Sequence, residues 1–179
     1  MLTPTLYQFF RRHVQRGFGM HGIDEPATVD YVSDVLTRFA HTPALYSIKD
    51  STTGISLERI AHMLVEWRRA QGEDDRAADR GREALIIRHI GEYTMFMSGL
   101  FRERLRARGE LNYYLDNGRS AYWRSADYEH NPARARVFRR LYYDLERIAT
   151  ALDAMRREQF PLKLEGFETE TPVVALWRN

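Results

Sequence analysis

Hydrophobic residues recur every three or four positions along most of this chain, which is the spacing of one face of an amphipathic α-helix. The pattern predicts six helices, at about residues 4–16, 26–40, 56–71, 80–107, 110–127 and 132–158. Start signals support the second and the last of them, because Pro26 and Pro132 stand at the first helical position and Asn131 can cap the last helix. The sequence therefore predicts an all-α fold.

The predicted helix at 80–107 is the centre of this fold. Between Leu85 and Phe101 it is apolar on nearly every side, and a helix with this property is normally surrounded by other helices. We therefore predict one globular domain over residues 1–179, a bundle of about six helices around this central helix.

Three segments break the helical pattern. Residues 45–57 contain two short apolar runs on either side of a polar turn, which predicts a short β-hairpin. Residues 17–22 read GFGMHG and match the glycine spacing of a dinucleotide-binding turn, but a helix precedes them where a strand is required. We expect an inter-helix loop there. From about residue 159 the chain is not helical in pattern, and its apolar run VVALW, residues 173–177, is predicted to dock on the bundle or on another subunit.

Composition excludes several classes of function. The chain has 27 basic and 25 acidic residues among 179, a net charge of +2, and 25 of the basic residues are arginine. Such a balance argues against a large nucleic-acid site. There are no cysteines, which excludes disulfides, thiolate zinc sites, iron–sulfur clusters and cysteine nucleophiles. The first residues show no signal-peptide pattern, and we expect a cytoplasmic protein.

Five residues on two predicted helices have the spacing of a metal site. His89 and Glu92 share one face of the central helix, while Glu58, His62 and Glu66 share one face of the third. Two histidines with carboxylates suit iron, manganese or zinc, in a di-iron or a mononuclear centre. The usual helical-bundle motif is Glu-x-x-His, whereas this chain has the reverse order, His89-x-x-Glu92.

A structural interpretation of the same residues is the favoured one. His89 and Glu92 would then be polar residues satisfied by neighbours within the core, and Glu92 would need an arginine partner, because an unpaired buried carboxylate is costly. Charged neighbours also make Glu58, His62 and Glu66 typical of a solvated helix face. Three charged or titratable side chains near the middle of the central helix, Arg88 with His89 and Glu92, argue against a membrane span.

Tyrosines are concentrated in the last two predicted helices, together with Trp123 and several arginines. Paired tyrosines usually cover the edge of a core while their hydroxyls stay hydrated. A weaker hypothesis is a small-ligand site between the fourth and fifth predicted helices.

The run HIGEYTMFMSGLF, followed by NYYLDNGRSAY, resembles segments of uncharacterised helical bacterial proteins with HIG(E/D)-aromatic-T and SG-aromatic steps. The resemblance covers roughly residues 40–125. It implies a helical domain, and it implies no activity or functional residue.

These observations favour a cytoplasmic helical interaction or regulatory module, one that forms a homo-oligomer or binds a protein partner and needs no cofactor. The alternative is a metal-dependent helical-bundle oxidoreductase that uses the five residues above.

Overall fold

The computed structural model describes residues 5–72 and 77–159, and eight helices lie in that part of the chain. They are α1 (Leu6–Met20), α2 (Pro26–Phe39), α3 (Thr42–Leu45), α4 (Ile60–Ala70), α5 (Arg80–Leu100), α6 (Arg102–Ala107), α7 (Leu111–Tyr128) and α8 (Pro132–Gln159). The fold is all-α, as the hydrophobic periodicity predicts. The predicted tail and its VVALW run lie outside the described residues. No helix among the described residues is long and apolar enough to cross a membrane.

Helix α5 is the central helix of the bundle, and it packs on α4, α7 and α8. Small residues allow the closest approaches. A Cβ atom added at Gly118 of α7 would lie 2.5 Å from the hydroxyl oxygen of Thr94, and one added at Gly99 would lie 2.7 Å from the Cβ of Leu152. Both distances are too short for a real methyl group, so these glycines set how closely α7 and α8 approach α5.

Helix α1 is longer than its sequence pattern predicts. It begins at a capping box, in which Thr5 and Gln8 satisfy each other's backbone N–H groups. The predicted loop at residues 17–22 is wrong for its first four residues, which continue the helix to Met20. Gly17 and Phe18 are buried in the core, and this burial outweighs the weak helix propensity of glycine.

The predicted hairpin at residues 45–57 is reduced to a single antiparallel bridge between Lys49 and Ser56. The Asp50 carboxylate accepts the backbone N–H groups of Thr52 and Thr53, and these bonds hold its pKa down at about 2. The turn uses its polar groups locally, so the flanking residues form a connection instead of strands. Helix α4 accordingly begins at Ile60, four residues after the predicted start.

Two helix boundaries in the second half also differ from the prediction. The helix predicted at 80–107 is interrupted at Phe101, whose φ of −117° and ψ of 27° leave the helical region. Phe101 is buried, so its side chain packs in the core at the point where α5 ends and α6 begins. Conversely, α7 runs without a break through Asn117 and Gly118, where the sequence contains a turn signal.

Candidate functional site

Glu92, near the middle of α5, forms a buried ion pair. Its side chain is 4% exposed, and Arg38 of α2 binds both carboxylate oxygens, at 2.9 and 3.1 Å. The hydroxyl of Tyr31 donates a third hydrogen bond, at 2.8 Å. The arginine partner expected from the sequence is therefore Arg38, which is itself held by Asp34 one turn earlier. Burial and the Glu92 charge raise the pKa of Tyr31, so its hydroxyl stays a proton donor.

His89 lies one turn before Glu92, and it too is satisfied by neighbours. Its Nε2 is 3.1 Å from the Leu45 carbonyl oxygen and its Nδ1 is 3.4 Å from the Ser47 hydroxyl. A neutral ring that donates from Nε2 and accepts at Nδ1 fits both contacts. Burial lowers the pKa of His89, although the nearby Glu92 charge acts in the opposite direction.

Glu66 lies on the buried side of α4, close to two arginines. Arg82 of α5 donates to it at 2.6 Å, and Arg69 approaches at 3.4 Å. Burial opposes its charge, but the hydrogen bonds from Arg82 and Ser51 outweigh burial and hold the pKa of Glu66 below its usual range. Glu66 therefore ties α4 to the start of α5.

The five predicted metal ligands do not come together. His89 and Glu92 point to α2 and to the segment after it, Glu66 points to Arg82, and Glu58 and His62 are exposed. Within residues 5–72 and 77–159, no group of three or more histidine or acidic side chains lies close enough to hold a metal ion. The metal hypothesis stays a prediction that these contacts do not favour.

A pocket of about 580 Å³ lies between α5, α6 and the start of α7. We call it the tyrosine–arginine pocket after its lining. Its walls contain four tyrosines, three arginines and two glutamates: Tyr46, Tyr93, Tyr113, Tyr114, Arg59, Arg104, Arg108, Glu58 and Glu110. Met97, Leu105, Ile60 and Ala61 complete the lining. Its volume falls in the range of ordinary small-molecule sites.

Tyrosine hydroxyls in this pocket act as neutral hydrogen-bonding groups. The Tyr93 hydroxyl donates to the Glu58 carbonyl oxygen at 3.0 Å, and the rings of Tyr93 and Tyr114 lie 6.3 Å apart. Burial raises the pKa of Tyr93, Tyr114 and Tyr46. These hydroxyls therefore keep their protons near neutral pH and can donate to a bound molecule.

Two side chains of α5 attach one wall of the pocket to the central helix. His89 binds the carbonyl of Leu45, and Tyr93, one turn further along α5, binds the carbonyl of Glu58. The connection between those two carbonyls contributes Tyr46 and Glu58 to the lining. His89, one of the two candidate ligands of α5, and Tyr93 thus position this wall.

The pocket lies between the fourth and fifth helices of the sequence pattern, where the weaker hypothesis places a small-ligand site. Ligand binding there stays a prediction. Sequence reasoning noticed Tyr113 and Tyr114 but missed the arginines of α6. Their spacing in RERLRARGE was the available signal, since residues four apart share one side of a helix. Arg59 and Tyr46 could not be found in this way, because the irregular segment before α4 brings them to the pocket.

No protein-family model matches this chain, and no curated protein or solved structure that was compared with it matches either. The function must therefore be argued from the site itself. The resemblance to helical bacterial proteins stays a prediction.

Proposed function

We propose that this chain is a helical regulatory module that binds a small organic molecule in the tyrosine–arginine pocket. The observation that carries the proposal is the lining, which combines aromatic and apolar walls with several polar groups that converge on one space. Such a site gives apolar contact area for binding and charged groups for selectivity. The expected cytoplasmic location is part of the same proposal.

The pocket wall offers a route from binding to regulation. The wall between Leu45 and Glu58 is largely irregular and is attached to α5 by the bonds from His89 and Tyr93. A molecule that contacts both Tyr46 and Tyr93 would link this wall to α5 and reduce its motion. Binding would then favour one arrangement of an exposed surface, which is what a partner recognises in a ligand-dependent switch.

Native mass spectrometry of freshly purified protein tests this function. We expect a co-purifying small molecule that is absent from an Ala61→Trp variant, because Ala61 is exposed and lines the pocket, so an indole there fills the space without entering the core. Ala133→Trp is the matched control, since Ala133 is exposed and does not line the pocket. The absence of a ligand adduct from all three mass spectra, together with melting temperatures that no compound in a small-molecule screen raises, would contradict the proposal.

A second candidate function, self-association, is favoured by an exposed aromatic surface on α7 and α8. Trp123 is 45% exposed and Tyr143 is 70% exposed, and the ring of Tyr142 lies within 5.0 Å of both. Tryptophan and tyrosine are enriched at the centres of protein interfaces. We propose that a second copy of this chain covers this surface.

Light scattering after size separation tests self-association. A dimer is expected for the natural chain and a monomer for a Trp123→Lys/Tyr143→Lys variant. Leu85→Lys serves as the control, because Leu85 is 49% exposed and lies on α5, outside this surface. A natural chain that is monomeric at all concentrations rules out this second function and leaves ligand binding unaffected.

A further inference from the structure

Four arginines follow one another at every second position of α6 and its C-terminal cap, and the helix sorts them into different environments. Arg102 is 5% exposed and its guanidinium approaches Glu146 of α8 at 3.7 Å. Arg106 is exposed and does not line the pocket. Arg104 and Arg108 both line the pocket, since they are one turn apart on the same side of the helix.

Neither Arg104 nor Arg108 forms an ion pair within the described part of the chain, and the same holds for Arg59 on the opposite wall. Elsewhere the arginines close to buried carboxylates are paired, as Arg38 is with Glu92 and Arg82 with Glu66. Guanidinium groups without a carboxylate partner keep their donors available for a ligand, and they match carboxylate and phosphate groups in geometry and charge.

The two glutamates of the pocket do not cancel this charge. Glu58 and Glu110 line the same walls but stay outside ion-pair distance of the three arginines. Glu58 raises the pKa of Tyr46 and Arg104 lowers it. Glu110 and Arg108 have the same opposite effects on the pKa of Tyr114, so each tyrosine lies near one acidic and one basic group. With three arginines against two glutamates, the lining has a net charge of +1.

On the basis of the proposed function, we infer that the tyrosine–arginine pocket binds an organic anion whose carboxylate or phosphate group is held by Arg104 and Arg108. The tyrosines contact the body of the ligand, and aromatic rings in the ligand suit these walls. The glutamates accept hydrogen bonds from N–H or O–H groups elsewhere on the ligand. The ligand class is therefore an aromatic or apolar organic anion with additional donor groups.

Four probes with the same ring and different charges test this inference by NMR titration of the labelled protein. They are benzoate, phenyl phosphate, benzyl alcohol and benzylamine. Both anions are expected to bind at least about tenfold more tightly than the neutral alcohol, because a charge-assisted hydrogen bond contributes roughly 1.4 kcal/mol more than a neutral one, which is a factor of ten. The comparison of benzoate with phenyl phosphate shows whether carboxylate or phosphate is preferred.

Variants of α6 locate the binding group. Arg104→Gln and Arg108→Gln are each expected to weaken benzoate binding about tenfold, whereas Arg106→Gln on the same helix leaves it unchanged. Glu58→Gln and Glu110→Gln are expected to strengthen it. Urea unfolding of each variant checks that its fold is retained.

Several results would overturn the inference. The first is that none of the four probes binds at millimolar concentration, and the second is that the neutral and anionic probes bind with equal affinity. The third is that Arg104→Gln and Arg106→Gln weaken benzoate binding equally. If benzyl alcohol binds the natural chain as tightly as the anions do, and Ala61→Trp abolishes its binding, the inference of an anion fails but ligand binding in the pocket stands. If no probe binds and the native mass spectrum shows no ligand, the proposed function fails as well.

Discussion

At Glu92, two residues of α2 satisfy a carboxylate that α5 holds inside the core. Arg38 closes a bidentate pair and Tyr31 donates from the other side. The sequence predicts that Glu92 has an arginine partner, because burial of an unpaired charge is so costly. It does not identify Arg38, which is 54 positions away along the chain and meets Glu92 only through the packing of α2.

Arg38→Met tests the energy of this pair. The change leaves the buried carboxylate with one hydrogen bond, and we expect the free energy of unfolding to fall by about 2 kcal/mol, a value reduced because Arg38 is half-exposed. Urea unfolding measures it. Arg12→Met, at an exposed position of α1, is expected to change stability by less than about 0.5 kcal/mol. Adding Glu92→Leu to Arg38→Met should restore part of the loss.

The buried position of His89 predicts a pH dependence. Its pKa in the folded chain is below the usual value of 6.5 because burial disfavours the charged ring, so the unfolded chain takes up the proton first as the pH falls. The free energy of unfolding should therefore decrease as the pH is lowered from about 7, until the folded histidine is protonated as well.

His89→Gln should reduce the change in the free energy of unfolding between pH 7 and pH 5. Urea unfolding at each pH measures this change. His13, whose pKa burial and then Arg12 and Arg16 also lower, is expected to supply a further part that His13→Gln removes. An identical slope in the natural chain and in His89→Gln would contradict the assignment.

The sequence predicts which segments are helical better than it predicts where each helix begins and ends. The apolar stripes place α2, α7 and α8 within one residue of the boundaries observed, since capping and periodicity are local signals. The extension of α1 to Met20 and the break at Phe101 depend on contacts with other helices. Those contacts override the local helix propensity, and the local sequence gives no signal of them.

Gly118 in α7 provides a test of helix packing. Alanine favours a helix over glycine by about 1 kcal/mol, yet a methyl group here would lie 2.5 Å from Thr94 and 2.7 Å from Leu145. We expect Gly118→Ala to destabilise the chain by about 1–3 kcal/mol in urea unfolding.

Gly19 is the matched control, because it is in α1 and nothing lies within 4 Å of an added Cβ. Gly19→Ala should be neutral or stabilise by up to about 1 kcal/mol. If both substitutions stabilised the chain equally, the close approach of α7 to α5 would not be present in solution.

At the scale of the whole molecule, the all-α class and the central helix follow from the sequence, whereas most of the lining of the tyrosine–arginine pocket does not. Its residues come from α5, from α6, from the starts of α4 and α7, and from the irregular segments beside them. No single periodicity links the whole set, because residues of different helices are neighbours only after the helices have packed. The sequence could not place the five candidate metal ligands relative to one another either, because a shared helix face does not determine which other helix it meets.

Hydrogen exchange should separate the central helix from the pocket wall. The backbone of α5 between Ile86 and Gly99 is buried on most sides, and its amides are expected to exchange only through global unfolding. Amides of residues 51–56, most of which are exposed, should exchange much faster through local opening. Mass spectrometry of exchanged peptides measures both, and equal protection of the two segments would contradict this order.

The attachment of the pocket wall has a consequence for how this protein can diversify. His89 and Tyr93 bind the main-chain carbonyls of Leu45 and Glu58, and every residue type has such a carbonyl. Substitutions between the two anchor points can therefore change the shape and charge of the pocket while both attachments remain. If the proposed ligand binding holds, exchange of this short segment changes the ligand preference and leaves the helical scaffold as it is.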